Sequence, residues 1–228
     1  MTYDAKEAWT KDILNMPTLA YPAEYVIRIF KGAYPRLNLD KNFRGRKICD
    51  IGCGDGRHIP FLHTCGFDAY GIELTEEIVD RVKENLRPAR LPILDVRVGS
   101  NDRIPFGDVF FDYLLAWNTC YYLGEHADFA GYVKEYARIL KKNGYLILSI
   151  PKKTCFIYHG SERIAGGRAI IRNDPFNIRN GEILRIFDDE EEIEEAFSGF
   201  FDRFVFASVH DDCFGYDYHW HLVVCQKR

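Results

Sequence analysis

Residues 46–62, Arg-Lys-Ile-Cys-Asp-Ile-Gly-Cys-Gly-Asp-Gly-Arg-His-Ile-Pro-Phe-Leu, restrict the fold more than any other part of the chain. Ile48 and Ile51 favour a strand, while Asp50 between them is costly in a buried strand unless it sits at the carboxyl end and bonds something. Asp50 is therefore expected to work rather than pack. Gly52, Gly54 and Gly56 then alternate, a spacing that lets the backbone turn with positive φ and lets a ligand approach bare main chain. A helix opening near Gly56 or Arg57 aims its first N–H groups at the same space. The stretch reads as strand, turn, helix.

A dinucleotide fingerprint would be Gly-x-Gly-x-x-Gly, but here the third glycine comes one residue early and Arg57 stands in its place. That departure weakens a nicotinamide or flavin reading, and the Tyr-x-x-x-Lys pair common in such oxidoreductases is not found. A ribose-binding acid is expected about twenty residues beyond the first glycine, after a second strand. Glu73 stands there, closing Phe67-Asp68-Ala69-Tyr70-Gly71-Ile72.

Asp50-x-Gly52-x-Gly54-x-Gly56 followed by Glu73 resembles the class I S-adenosylmethionine-dependent methyltransferases. Pro105-Phe106, Phe111-Asp112 and Leu140-Lys141-Lys142-Asn143-Gly144-Tyr145-Leu146 resemble that family as well, so the likeness covers residues 45–151 well and 182–227 loosely. It implies an α/β, Rossmann-like three-layer sandwich whose mostly parallel seven-stranded sheet ends in an antiparallel last strand. The implied cofactor is S-adenosyl-L-methionine, bound by Asp50, Gly52, Cys53, Gly54, Asp55, Gly56, Glu73 and Leu74, with Ser100, Asn101, Asp102, Trp117 and Asn118. The family commonly carries Gly-Asp where this chain has Gly99-Ser100, so Asn101 or Asp102 is expected to replace the usual acid at the adenine. The likeness also implies an N-terminal segment lying across cofactor and substrate, which makes Tyr3, Trp9, Tyr21 and Arg28 candidates there.

A chain of 228 residues, 47% hydrophobic, suits one large domain. We read residues 1–44 as a helical cover, 45–150 as the cofactor-binding core, 151–182 as an insertion and 183–228 as a C-terminal helix with closing strands. The formal charge of −4, from 30 basic and 34 acidic side chains interspersed, gives no field that favours nucleic acid. Seven cysteines, without a Cys-x-x-Cys pair, look like free thiols of a reducing compartment, and no metal site is expected. The N-terminus has neither a signal-peptide core nor a transit composition, and no apolar run is long enough to span a bilayer. A cytoplasmic protein without membrane contact is expected, and its oligomeric state is left open.

Pro22 fits the first turn of a helix carrying Tyr25, Val26, Ile29 and Phe30 at helical spacing. Thr75 reads as the N-cap of a helix with Ile78, Val79, Val82 and Leu86 inward, ended by Pro88. Ile93–Val98 reads as a third strand and Phe110–Ala116 as a fourth. His126 or Asp128 opens the next helix, closed by Asn143-Gly144, and Tyr145–Ile150 is a fifth strand. Residues 151–182 show no period and read as an insertion outside the core, a lid or binding loop. Ile183–Phe187 reads as a short strand, and Asp188-x-x-Glu191 as a capping box opening a helix. Phe200–Val209 and Tyr218–Cys225 make a hairpin joined by Asp211–Gly215.

Ligands bind outside the carboxyl ends of strands in such sheets, so Trp117, Asn118, Tyr121 and Tyr122 are expected to face the reacting methyl. Candidate catalytic side chains are His58, Tyr121, Tyr122 and His126, with His219 a further possible base. The expected reaction is methyl transfer to oxygen or nitrogen of a small-molecule acceptor by in-line displacement, driven mainly by orientation. Methylation of a protein or RNA, cofactor binding without chemistry, and a nicotinamide oxidoreductase are the alternatives.

Overall fold

The structure, a computed structural model, describes residues 5–92, 95–124 and 127–228. In chain order these form α1 (Ala5–Asn15), α2 (Glu24–Lys31), β1 (Lys47–Ile51), α3 (His58–Cys65), β2 (Asp68–Glu73), α4 (Glu76–Leu86), β3 (Asp95–Val98) and β4 (Phe111–Ala116). There follow β5 (Tyr122–Leu123), α5 (Phe129–Ile139), β6 (Leu140–Pro151), β7 (Glu162–Ile164), β8 (Arg168–Ile170), β9 (Ile183–Arg185), α6 (Glu190–Phe197), β10 (Phe201–Cys213) and β11 (Tyr216–Lys227).

Seven strands make one sheet in the order β10-β11-β6-β4-β1-β2-β3. β1 pairs in parallel with β2 and β4, β4 with β6 and β2 with β3, while β11 runs antiparallel to both β6 and β10. Every residue of β4 is buried, as a central parallel strand covered on both faces requires. Val26, Ile29 and Phe30 of α2, Ile59 and Leu62 of α3 and the Ile78-Val79-Val82-Leu86 stripe of α4 fill one side. Phe129, Val133, Tyr136 and Ala137 of α5, with Ile193 and Phe197 of α6, fill the other. Three layers result, and the chain reverses its strand order between β1 and β4, which opens a crevice above their carboxyl ends.

Local chemistry sets the helix starts. Thr75 accepts from the Ile78 N–H at 3.3 Å and Asp128 from Ala130 at 3.2 Å. α2 begins at Glu24 with Ala23 as its cap, so Pro22 precedes the helix instead of sitting in its first turn. The box expected at Asp188 lies one residue later: Asp189 accepts from Glu192 N–H at 2.9 Å, and the Glu192 carboxylate reaches back to Asp188 N–H at 2.7 Å. Both registers offer an acid three residues before a glutamate, so the pattern alone could not separate them.

Two further expectations are corrected. α5 ends at Ile139 and Leu140 already pairs with Phe111, so Asn143-Gly144 lies within β6 rather than capping the helix. Residues 151–182 belong to the core: β5, β9, β8 and β7 form a second, four-stranded sheet in that order, and Phe156, Ile157, Tyr158, Ala169 and Ile171 are buried. Strands of three residues are too short to display a period, which is why the segment looked loose. The final hairpin is tighter than expected, with Phe214 (φ 55°) and Gly215 (φ 88°) forming its two-residue turn and Asp212 accepting from Gly215 N–H. Tyr3, Ile93 and His126 lie outside the described residues.

Candidate functional site

β1 delivers Asp50 and Ile51 to the carboxyl edge of the sheet and the chain then turns through the glycine loop. Gly54 (φ 62°) is the position that needs glycine for a ligand: a Cβ built there meets nothing within 4 Å, so its bare backbone faces open space. At Gly52 the same atom would come within 2.7 Å of Thr119 Oγ1, so that glycine serves close packing against the loop after β4. Cys53 N–H donates to Ile72 carbonyl at 3.1 Å and ties the loop to β2. Asp55 accepts from Leu19 N–H at 2.6 Å and from Arg57 N–H at 3.2 Å, which brings the N-terminal segment over the loop.

Glu73 closes β2 almost wholly buried, at 4% exposure. Its Oε1 accepts from Gly54 N–H at 2.7 Å and its Oε2 from Leu74 N–H at 2.9 Å. Burial pushes its carboxyl up from 4.5 to about 7, the two backbone N–H groups pull it down, and nearby Asp50 raises it again. Each carboxylate oxygen keeps lone-pair capacity for a hydroxyl donor. Asp50 and His58, 1% and 4% exposed, meet at 3.1 Å through Oδ2 and Nδ1. Asp50 Oδ1 and His58 Nε2 are buried without a hydrogen-bond partner among the described residues.

The loop after β3 is braced by its own side chains. Ser100 and Arg103 exchange backbone hydrogen bonds at 3.1 Å, and Ser100 Oγ donates to Asp102. Asn101 donates through Nδ2 to Thr119 carbonyl at 3.1 Å and accepts at Oδ1 from the Tyr136 hydroxyl at 2.6 Å. Its carboxamide is thus engaged at both ends, which leaves Asp102 as the freer side chain of the pair. After β4, Trp117 is 9% exposed, and Asn118 (φ 58°) is held by Ser149, whose Oγ accepts from Asn118 N–H and donates to its Oδ1, both at 2.7 Å.

Tyr121 and Tyr122 stack with ring centroids 4.9 Å apart, Trp9 of α1 meets Tyr122 edge-on at 5.2 Å, and Trp220 lies 5.9 Å from Tyr121. Arg179 donates to the Tyr122 hydroxyl at 2.9 Å and pairs with Asp174, whose side chain is fully buried, at 3.0 Å. Burial lifts both phenols above their ordinary value, Tyr121 far above it, so they are neutral groups near pH 7 and poor bases. His219 sits near Thr154, with Nδ1 2.6 Å from Oγ1, and burial, His210 and Lys152 hold its imidazole below the ordinary value. Tyr21 stands 79% exposed, and Arg28 pairs with Glu24 at 2.6 Å along α2.

Thr119, Ser149 and Arg179 escaped the sequence reading. The first two support the loop after β4 from neighbouring backbone, and Arg179 lies in a segment with no period. A cavity of about 320 Å³ lined by Arg46, Asp112 and Lys141 opens at the amino ends of β1 and β4, the opposite end of the sheet, and the Asp112 carboxylate there is already bonded to both cations. Among the described residues no group of three or more His, Cys, Asp or Glu is placed to hold a metal ion, and no helix is long and apolar enough to cross a membrane.

The fold is a Rossmann-like domain with a glycine loop at the carboxyl edge of its sheet. Residues 49–148 match the family model described as a methyltransferase domain. A probable S-adenosylmethionine-dependent methyltransferase of Mycolicibacterium smegmatis is 27% identical over 112 residues, 49% of this chain and 40% of that protein. A ubiquinone biosynthesis O-methyltransferase of Methylococcus capsulatus is 29% identical over 115 residues, 50% of this chain and 47% of its own. The chain thus spans about half the length of the curated relatives it matches. A solved S-adenosylmethionine-dependent methyltransferase of Methanosarcina mazei shares the fold with a TM-score of 0.64 at 21% identity, covering 86% of this chain and 98% of that one. Over residues 49–148 the chain resembles a methyltransferase domain, and its fold is that of a solved S-adenosylmethionine-dependent methyltransferase.

Proposed function

We propose that the chain transfers a methyl group to oxygen or nitrogen of a small-molecule acceptor. The observation that carries this reading is the aromatic cluster of Trp9, Tyr121, Tyr122 and Trp220 beyond the carboxyl end of β4, backed by Arg179 from the β8–β9 loop. Walls built from α1, the β4–α5 loop, the insertion and β11 suit a compact, partly apolar ligand better than a polymer laid along a groove. The ubiquinone biosynthesis O-methyltransferase among the relatives acts in the synthesis of a small molecule, which supports the same reading.

The residues present fit the donor: Gly54 faces open space, Glu73 keeps acceptor capacity, and Asp50 Oδ1 lacks a partner. When bound, S-adenosylmethionine supplies an electrophilic methyl on sulfonium. In this reading Gly54 gives close backbone approach, Glu73 takes the ribose hydroxyls, and Leu74 and Asp102 border the adenosyl group. Trp117, Asn118, Tyr121 and Tyr122 hold the acceptor in line and keep water out. Orientation of that kind supplies on the order of 7–11 kcal/mol in favourable intramolecular cases. A panel of metabolites assayed for S-adenosylhomocysteine release tests the reading. Turnover confined to protein or RNA fractions would overturn it.

A further inference from the structure

Asp50 and His58 bracket the glycine loop: one ends the strand before it and the other opens the helix after it. Asp50 pairs across the backbone with Gly71 and Leu115, so it lies inside the sheet, and His58 belongs to the helix layer that packs on that side. Their 3.1 Å contact joins the two ends of the loop across residues 52–57. A carboxylate this deep normally gathers several donors, yet among the described residues Oδ2 has only His58 and Oδ1 has none. An unfilled acceptor beside bare, open backbone at Gly54 is what a ligand-binding loop leaves ready for its ligand.

We propose that His58 is a positioning residue for the methyl donor: through Nδ1 it pins Oδ2 of Asp50, fixes the span of the glycine loop, and leaves Oδ1 as the acceptor offered to a donor group of the bound cofactor. This rests on the crevice being the donor site. It also removes His58 from the candidates for a base acting on the acceptor, since its ring is enclosed and one nitrogen is spent on Asp50.

Asparagine places its amide nitrogen near the Nδ1 position, whereas glutamine reaches toward Nε2, so the two substitutions separate the nitrogens. Calorimetry with S-adenosylhomocysteine on His58→Asn, His58→Gln and His58→Ala should give a Kd within about twofold of the unsubstituted chain for Asn. For Gln and Ala it should be weaker by about tenfold or more, the usual consequence of stripping a buried charged group of its partner. If Ala fails to fold, the Asn–Gln comparison alone decides. Equal affinities in Asn and Gln, or loss in Asn with retention in Gln, would overturn the proposal. Should the donor reading itself be wrong, the unsubstituted chain would not bind S-adenosylhomocysteine at all, a result distinct from tight binding that survives in every His58 variant.

Discussion

Glu73 allows the donor crevice to be tested through pH, because its protonation competes with its proposed contact. Its carboxyl lies at about 7 in the unliganded fold, raised from 4.5 chiefly by burial. The ionised share therefore falls from roughly nine tenths near about pH 8 to roughly one tenth near about pH 6. Ribose hydroxyls donate to the ionised form, so binding selects it, and affinity should fall about tenfold over that interval, or about 1.4 kcal/mol. The unliganded stability has the opposite sign. A carboxyl raised in the folded state contributes stability that is complete below 4.5 and is lost as pH rises through about 7. That loss is on the order of 3 kcal/mol at about 1.4 kcal/mol per pH unit. Donor binding should therefore give a larger thermal shift on the alkaline side. Calorimetry with S-adenosylhomocysteine across the interval, on the unsubstituted chain and on Glu73→Gln, checks this, since glutamine cannot ionise and should flatten the profile. Glu73→Ala should weaken binding by about ten- to a hundredfold on the alkaline side, as loss of a charge-assisted bond of roughly 1.5–3 kcal/mol requires. A flat profile in the unsubstituted chain, or an equal slope in Glu73→Gln, would refute the assignment of Glu73 to the ribose.

Gly54→Val should abolish donor binding while melting only slightly earlier, because its side chain fills open space and costs only the ~1–2 kcal/mol of left-handed backbone; unchanged calorimetric affinity would move the donor elsewhere. Arg179→Met leaves the Asp174 carboxylate with backbone donors alone and should cost about 3 kcal/mol in denaturant unfolding, with donor Kd nearly unchanged; an equal loss of donor affinity would tie the insertion to the donor crevice. Asp189→Ala should cost about 1 kcal/mol as the true cap of α6, and Asp188→Ala less, since Asp188 makes only exposed contacts with Lys153 and Arg163; the reverse order of melting temperatures would restore the sequence register of the cap.

The central sheet was legible because β1, β2 and β4 are short runs rich in β-forming apolar residues, and because a parallel sheet buries both faces of each strand. Thr75 was legible for a similar reason: its hydroxyl stands before two glutamates and a clean apolar stripe, so local chemistry and packing agree. The second sheet was not. β7, β8 and β9 gain their order from one another and from Tyr122 and Leu123, which pair with Leu184 and Ile183 from far along the chain. Asp50 could be marked as a working residue from its cost in a strand, but its partnership with His58 depends on how far the loop brings α3 back over β1. Asn101 illustrates the converse. Its residue type suits adenine recognition, yet Tyr136 and Thr119 occupy its carboxamide, and only three-dimensional packing reveals such competition.

The N-terminal helix connects the donor crevice to the acceptor enclosure, and this makes an order of binding testable. Thr10 donates to Thr75 at 3.3 Å beside the end of β2, Leu19 reaches Asp55 of the glycine loop, and Trp9 packs edge-on against Tyr122. One short segment therefore touches the loop proposed for the donor and the ring proposed for the acceptor. None of residues 6–15 of α1 is buried, so the order of this helix depends on what fills the space beneath it. A bound adenosyl group adds contact area below residues 9–19 and should slow amide exchange there. Trp9→Ala removes an aromatic pair worth about 0.5–1.5 kcal/mol beyond its buried area. It should therefore raise the acceptor KM by several-fold or more while changing donor affinity less. Hydrogen exchange over residues 5–19 with and without S-adenosylhomocysteine separates the possibilities. Added protection means the donor builds part of the acceptor site and must bind first, whereas exchange that ignores the donor would make α1 a fixed wall and leave the two substrates free to bind in either order.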